Sequence, residues 1–179
     1  MVRKSSTTPS QKGFMLQIRT SQSKDIIFSS EISNITKSDQ HLSFRSVKQI
    51  DKSIREGNFL FALRGKELAG FAEVVRIWRN WYAIFSFFVR PKYRRQGISK
   101  LLLHKIITSN QDDYLYAATS NKIMLNILEI NRFERYKFKC LPVLFLTDYF
   151  IKRFLNLQLF GNIGLLDQYW YYLVRSPNN

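Results

Sequence analysis

Residues 85–102, Phe-Ser-Phe-Phe-Val-Arg-Pro-Lys-Tyr-Arg-Arg-Gln-Gly-Ile-Ser-Lys-Leu-Leu, combine residue types that suit anion binding. The apolar run up to Val89 fits a buried strand. Pro91 ends it because proline cannot donate to a ladder, and Ile98, Leu101, Leu102 and Ile106 then recur at helical spacing. The turn at residues 94–99 therefore falls at a helix N-terminus. Unpaired backbone N–H groups and the positive end of the helix dipole favour an anion there, and Gly97 removes the Cβ that would hold it off. A pyrophosphate fits such a place. The loop is neither a Walker loop, which needs a second glycine before Lys-Ser/Thr, nor a G-x-G-x-x-G turn.

Arg94, Arg95, Gln96, Gly97 and Ile98 follow the R-x-x-G-x-G/A signature of the GNAT superfamily of acyl-coenzyme A-dependent N-acyltransferases, with Ser99 at the final Gly or Ala. The chain resembles that family over residues 14–175. Residues 121–133 carry a second likeness, to its N-x-x-A-x-x-x-Y-x-x-x-G-F segment: Asn121 and Phe133 match, while Met124, Leu128 and Arg132 stand where alanine, tyrosine and glycine are usual. The resemblance implies that the amides of residues 94–99 hold the pyrophosphate of acetyl-CoA or another acyl-CoA, used as co-substrate. It further implies that Phe87, Phe88 and Val89 hold the pantetheine and polarise the thioester through their backbone, and that Asn121 joins the coenzyme site. The implied reaction is N-acetyl or similar acyl transfer to an amine, by direct attack in a ternary complex without a covalent enzyme intermediate.

Such a transfer needs a neutral amine, donors for the developing oxyanion and a proton for the leaving sulfur. In many family members the tyrosine gives that proton, but position 128 is leucine, which has no phenol. Tyr136, Tyr93, Ser120 and water are the alternatives, and Tyr136 is taken forward as the acid. A thiol pKa near ~8.5 makes coenzyme A a tolerable leaving group, so a missing acid slows the reaction more than it abolishes it. For the base, Glu73 shares a strand face with Phe71, Val75 and Ile77, where apolar surroundings raise a carboxyl pKa. The competing readings of Glu73 are an ion pair with a nearby arginine and no dedicated base at all. Glu129 reads as a surface residue.

The positioning elements follow from periodicity and punctuation. Residues 1–13 read as a mobile basic tail, 14–175 as a single acyltransferase domain and 176–179 as a short tail. Residues 14–19 read as a strand and 21–35 as a helix. Ser46 reads as the cap of a second helix bearing Val47, Ile50 and Ile54, with Gly57 past its end. Residues 58–63, 67–78 and 81–89 read as an antiparallel meander, followed by a helix from Gly97 to 109, a strand at 114–119 and a helix at 124–130. Two strands, 135–146 and 168–175, flank a basic amphipathic stretch at 148–160. The expected fold is α/β (α+β), a GNAT-like mixed, mainly antiparallel sheet flanked by helices.

The chain has 179 residues, 45% hydrophobic and 15% aromatic, ample for one core. One cysteine, Cys140, excludes an internal disulfide, and with His41 and His104 as the two histidines no metal-ligand constellation is expected. Without a signal-peptide core or an uninterrupted apolar span, the expected address is the cytoplasm. The formal charge of +15 exceeds what a coenzyme patch needs. Nucleic acid, a ribosome, an acidic protein and an anionic membrane surface each fit it, as does a merely soluble basic surface.

The second functional class is therefore a weak or inactive GNAT-fold protein that binds nucleic acid or another acidic partner. On that reading Arg76, Arg79, Arg90, Lys92, Arg94 and Arg95 cluster at strand ends around the coenzyme site, and Trp78, Trp81 and Tyr82 stack bases unless they pack on one another. A membrane or protein-interaction module built on 148–160 is the third. His104 reads as a solvated helix residue and Cys140 as a core residue.

Overall fold

The computed structural model describes residues 15–137, 143, 147 and 171–177. Within them the order is β1 (Leu16–Thr20), a 3₁₀ turn (Ser23–Phe28), α1 (Ser29–Ser38), α2 (Val47–Arg55), β2 (Phe59–Arg64), β3 (Glu67–Trp78), β4 (Trp81–Val89), a 3₁₀ turn (Pro91–Tyr93), α3 (Ile98–Ser109), β5 (Tyr114–Thr119), α4 (Lys122–Ile130), β6 (Glu134–Arg135) and β7 (Tyr171–Arg175). The seven strands form one sheet, ordered β1-β2-β3-β4-β5-β7-β6. The β4–β5 pair is parallel and every other pair antiparallel. This is the mixed, mainly antiparallel sheet that the sequence leads one to expect.

Side chains of opposite strand parity go to opposite sides of the sheet. On one side Leu60, Ala62, Ala72, Ile84, Leu115 and Ala117 meet the inner face of α3, formed by Ile98, Leu102, Leu103 and Ile106. Leu101, expected on that face, points outward at 46% exposed, because spacings of four and eight from Ile98 already complete the buried stripe. On the other side Ile32 of α1 and Ile50 and Ile54 of α2 close over Phe59, Phe61 and Phe71. Burial of each such side chain contributes about 1.5–3 kcal/mol. Helix α2 begins as the sequence indicates: Ser46 accepts from the Gln49 N–H while the Gln49 side chain accepts from the Ser46 N–H.

Two expectations about elements are corrected. The first helix is split, since a 3₁₀ turn precedes α1 and α1 runs on to Ser38. The strand expected at 135–146 ends at Arg135, and Val143 is helical. A short apolar run does not distinguish strand from helix by period. Cys140 and the 148–160 stretch lie outside the described residues.

Candidate active site

The site begins as an irregularity in β4. Glu73 pairs with Ser86 and Val74 with Ile84, so Phe85 is an extra residue on β4, a β-bulge. Parallel pairing of β4 with β5 covers Trp81 to Ile84 against Tyr114 to Ala117 and stops there. Beyond it β5 turns to β7 through Ala118 and Thr119, while residues 86–89 pair with β3 and with no second strand among the described residues. The strands part, and a cleft of about 840 Å³ opens between them. Its walls are residues 84–89 of β4, 117–119 of β5, Ile98 and Ser99 of α3, one face of α4 and the loop after α1 at residues 38–42.

Backbone direction along β4 follows from one bond. The Arg90 N–H donates to Ala69 O of β3 at 2.9 Å, so alternation turns the amides of Phe87 and Val89 into the cleft and that of Phe88 toward β3. Phe88 contributes its ring to the wall, tilted on Phe71 at 5.6 Å between centroids. Behind this edge stands Gly70, opposite Val89: a Cβ there would lie 2.7 Å from Phe88 O. Its signal was visible as a lone glycine inside a strand, which marks close backbone approach.

The 94–99 turn lies at the far end of this edge. Arg95 and Gly97 both adopt left-handed backbone, φ 61° and 78°. Gly97 caps α3 without any side-chain cap, and a Cβ on it would meet nothing within 4 Å, so the space before it is open. The first helical bond is the Leu101 N–H to Gly97 O at 3.0 Å; the N–H groups of Ile98, Ser99 and Lys100 have no acceptor among the described residues. These amides, with successive left-handed and right-handed residues, form an anion-binding concavity. Arg94 donates from Nε to Val89 O at 3.1 Å, Gln96 from Nε2 to Lys92 O at 3.2 Å, and neither Arg94 nor Arg95 has a carboxylate partner among the described residues. Lys92 and Arg90 differ, being engaged by Glu67 and Glu31. Lys92 and the Tyr93 hydroxyl, which donates at 2.6 Å, hold the Glu67 carboxyl below the usual range.

Other candidates fall in three places. Asn121 lines the cleft and caps α4, its Oδ1 accepting from Ile123 N at 2.9 Å and Met124 N at 3.2 Å, which leaves Nδ2 for a ligand. Leu128 reaches the cleft wall with an apolar, wholly buried side chain. Tyr136 is not brought to the cleft. It follows the edge strand β6, 40% exposed, its N–H donating to Tyr172 O at 2.8 Å, because β7 intervenes between β6 and β5.

Glu73 is wholly buried and stands behind Ser86 rather than on the cleft wall. Arg45 Nη2 lies 2.8 Å from its Oε1, to which Ser53 Oγ donates at 2.6 Å. Burial raises its carboxyl above the usual value, with Arg45 and then Ser53 drawing it back. Arg45 belongs to the loop after α1, whose far end the network fixes: Ser33 Oγ donates to Arg45 O at 2.8 Å and the Arg45 N–H to Thr36 Oγ1 at 3.1 Å. Glu129, as expected, is exposed and pairs with Arg135 at 2.6 Å. His104 is exposed on α3.

The expected cluster of six basic residues is corrected. Arg76 and Arg79 sit at the β3–β4 hairpin and Arg90 to Arg95 beyond the other end of β4, about 30 Å away for a nine-residue strand. At the hairpin Trp81 is buried and stacks on Tyr114 at 4.5 Å, while Arg79 lies 4.8 Å over Trp78. His41 was missed as a site residue. It sits on the cleft wall in the 38–42 loop, its Nδ1 3.3 Å from Ser120 Oγ at the β5–α4 turn, and a loop histidine has no periodicity to reveal it.

A mixed sheet split between two parallel strands, with an uncapped helix N-terminus at the mouth of the split, defines a cleft for an extended ligand with an anionic group. The sequence matches the Acetyltransferase (GNAT) family over residues 25–133. The chain belongs to that family.

Solved structures agree on the fold. N-acetylglutamate synthase from Neisseria gonorrhoeae, complexed with coenzyme A and N-acetyl-glutamate, superposes with a TM-score of 0.70 at 19% identity over 92% of this chain. This chain spans 36% of that one. Rv2747 from Mycobacterium tuberculosis, in complex with CoA, gives 0.70 at 11% identity, covering 90% of this chain and 99% of its own. A GNAT-family acetyltransferase from Staphylococcus aureus MU50 gives 0.62 at 17% identity, over 92% and 100%. No curated protein matches the sequence. No described helix is long and apolar enough to cross a membrane.

Proposed function

We propose that this protein is an N-acyltransferase that moves an acetyl or similar acyl group from acyl-CoA to an amine, by direct attack in a ternary complex. The observation that carries the reading is the open edge of β4 running into the acceptorless amides of Ile98, Ser99 and Lys100. The pyrophosphate suits those amides and the guanidinium groups of Arg94 and Arg95, neither paired with a carboxylate among the described residues, with open space at Gly97 to receive it. The pantetheine suits the amides of Phe87 and Val89, whose outward N–H groups offer strand-like pairing and a donor for the thioester oxygen. Coenzyme A likeness in two solved neighbours supports the choice of ligand. The test is a thiol-release assay with acetyl-CoA on pools of small amines, peptides and RNA. Thiol release that depends on an amine supports the reading; acetyl-CoA bound tightly with no transfer to any pool contradicts it.

That second outcome favours a GNAT-fold binding protein, a reading supported by Leu128 and by the +15 charge. RNA binding on that basis weakens steeply with salt through counterion release. It competes with coenzyme A only if the polyanion sits on Arg94 and Arg95.

A further inference from the structure

Two groups expected to move protons, Tyr136 and Glu73, are absent from the cleft wall, and position 128 is apolar. Among the described residues, the titratable side chains on that wall are Asp39, His41, Tyr93, Arg94 and Arg95. Tyr93 is engaged by Glu67, and the guanidinium groups stay charged. Asp39 accepts the His41 N–H at 2.9 Å and so holds the backbone from which the imidazole projects. Imidazole is the side chain that exchanges protons near neutral pH. His41 Nδ1 meets Ser120 Oγ at 3.3 Å, and Nε2 lies 3.5 Å from Gln40 Nε2. With Gln40 Nε2 donating to His41 Nε2, the Nδ1 proton faces Ser120, and this is the tautomer the relay uses.

We infer that His41, on the cleft wall, and Ser120, beside it at the β5–α4 turn, form a proton relay for the acyl transfer proposed above. Attack by the amine forms the N–C bond, and collapse breaks the C–S bond with its electron pair on sulfur. The amine proton goes to His41 Nε2, the Nδ1 proton passes to Ser120 Oγ, and the Ser120 hydroxyl proton goes to the thiolate. One proton moves from nitrogen to sulfur and the imidazole is left in its other tautomer, which exchange with water resets. The relay joins the 38–42 loop to the β5–α4 turn, so it supplies from two loops what the helix position 128 lacks.

The experiment compares wild type, His41→Ala, His41→Gln and Ser120→Ala, using acetyl-CoA with the best amine from the thiol-release screen. Acetyl-CoA affinity is measured beside it by calorimetry. His41→Ala should lower kcat/KM by roughly a hundredfold, flatten its rise across the pH range where imidazole deprotonates, and recover in part with added imidazole. Its acetyl-CoA Kd should stay within about twofold, and Ser120→Ala should lower kcat about tenfold with little change in KM. An unchanged pH profile in both His41 variants overturns the relay, as does a loss confined to acetyl-CoA affinity. If wild type binds acetyl-CoA and acylates no amine, the relay falls while the coenzyme site stands. Failure to bind acetyl-CoA at all removes the acyltransferase reading, and the relay with it.

Discussion

At the 94–99 turn the polar groups are backbone amides without acceptors and arginines without carboxylates among the described residues, whereas at the far end of the loop after α1 they are buried side chains bonded to one another. Arg45, Glu73, Ser53, Ser33 and Thr36 bond to one another or to local backbone, with Arg45 Nε and Glu73 Oε2 the buried atoms left without a hydrogen-bond partner among the described residues. The first arrangement keeps binding capacity for a ligand; the second converts it into rigidity. Substitutions should therefore separate, with the turn controlling affinity and the buried network controlling stability.

The largest effect belongs to the network. Glu73→Ala leaves the Arg45 guanidinium without its carboxylate, and unfolding in urea should show a loss of about 3–5 kcal/mol. A loss under 1 kcal/mol would erase the contrast between the two ends. At the turn, Gly97→Val forces a β-branched residue into a left-handed conformation, which costs about 1–2 kcal/mol in stability. Calorimetry should show acetyl-CoA affinity falling at least about tenfold, about 1.4 kcal/mol. Arg95→Ala tests the exposed charge: a few-fold weaker affinity, about 0.5–1 kcal/mol, more visible at low salt, with an unchanged melting temperature.

The pH response is the smallest effect and sharpens the contrast. Because burial raises the Glu73 carboxyl, its contribution is complete below the unfolded carboxyl pKa and declines as pH rises through the folded one. The stability difference between wild type and Glu73→Gln should shrink over that window. A difference that grows with pH would mean that Arg45, and not burial, governs the group.

Much of the coenzyme end was legible because it is written in punctuation. The Arg79-Asn80 turn, Pro91 and Gly97 bound β4 and α3, and β3, β4 and β5 run over the spans read from alternation. What escaped was relational. The bulge at Phe85 depends on how β3 and β5 share β4, and no residue type announces it. Glu73 was legible as a carboxylate among apolar neighbours, but its partner Arg45 is 28 positions away on a loop. The six basic residues near β4 look contiguous in sequence order because a hairpin brings Arg76 and Arg79 close in number, while the length of the strand holds them apart in space. His41 and Ser120, 79 positions apart, meet where the loop after α1 reaches the β5–α4 turn.

The central claim is that acyl-CoA seats its pyrophosphate on the start of α3. Hydrogen exchange at the amides of Ile98, Ser99 and Lys100, with and without saturating coenzyme A, reads it directly. Free protein should exchange them fast, since they have no acceptor among the described residues, and coenzyme A should slow all three while Leu101, already bonded to Gly97, changes little. Coenzyme A bound with those three amides exchanging as before would contradict the account.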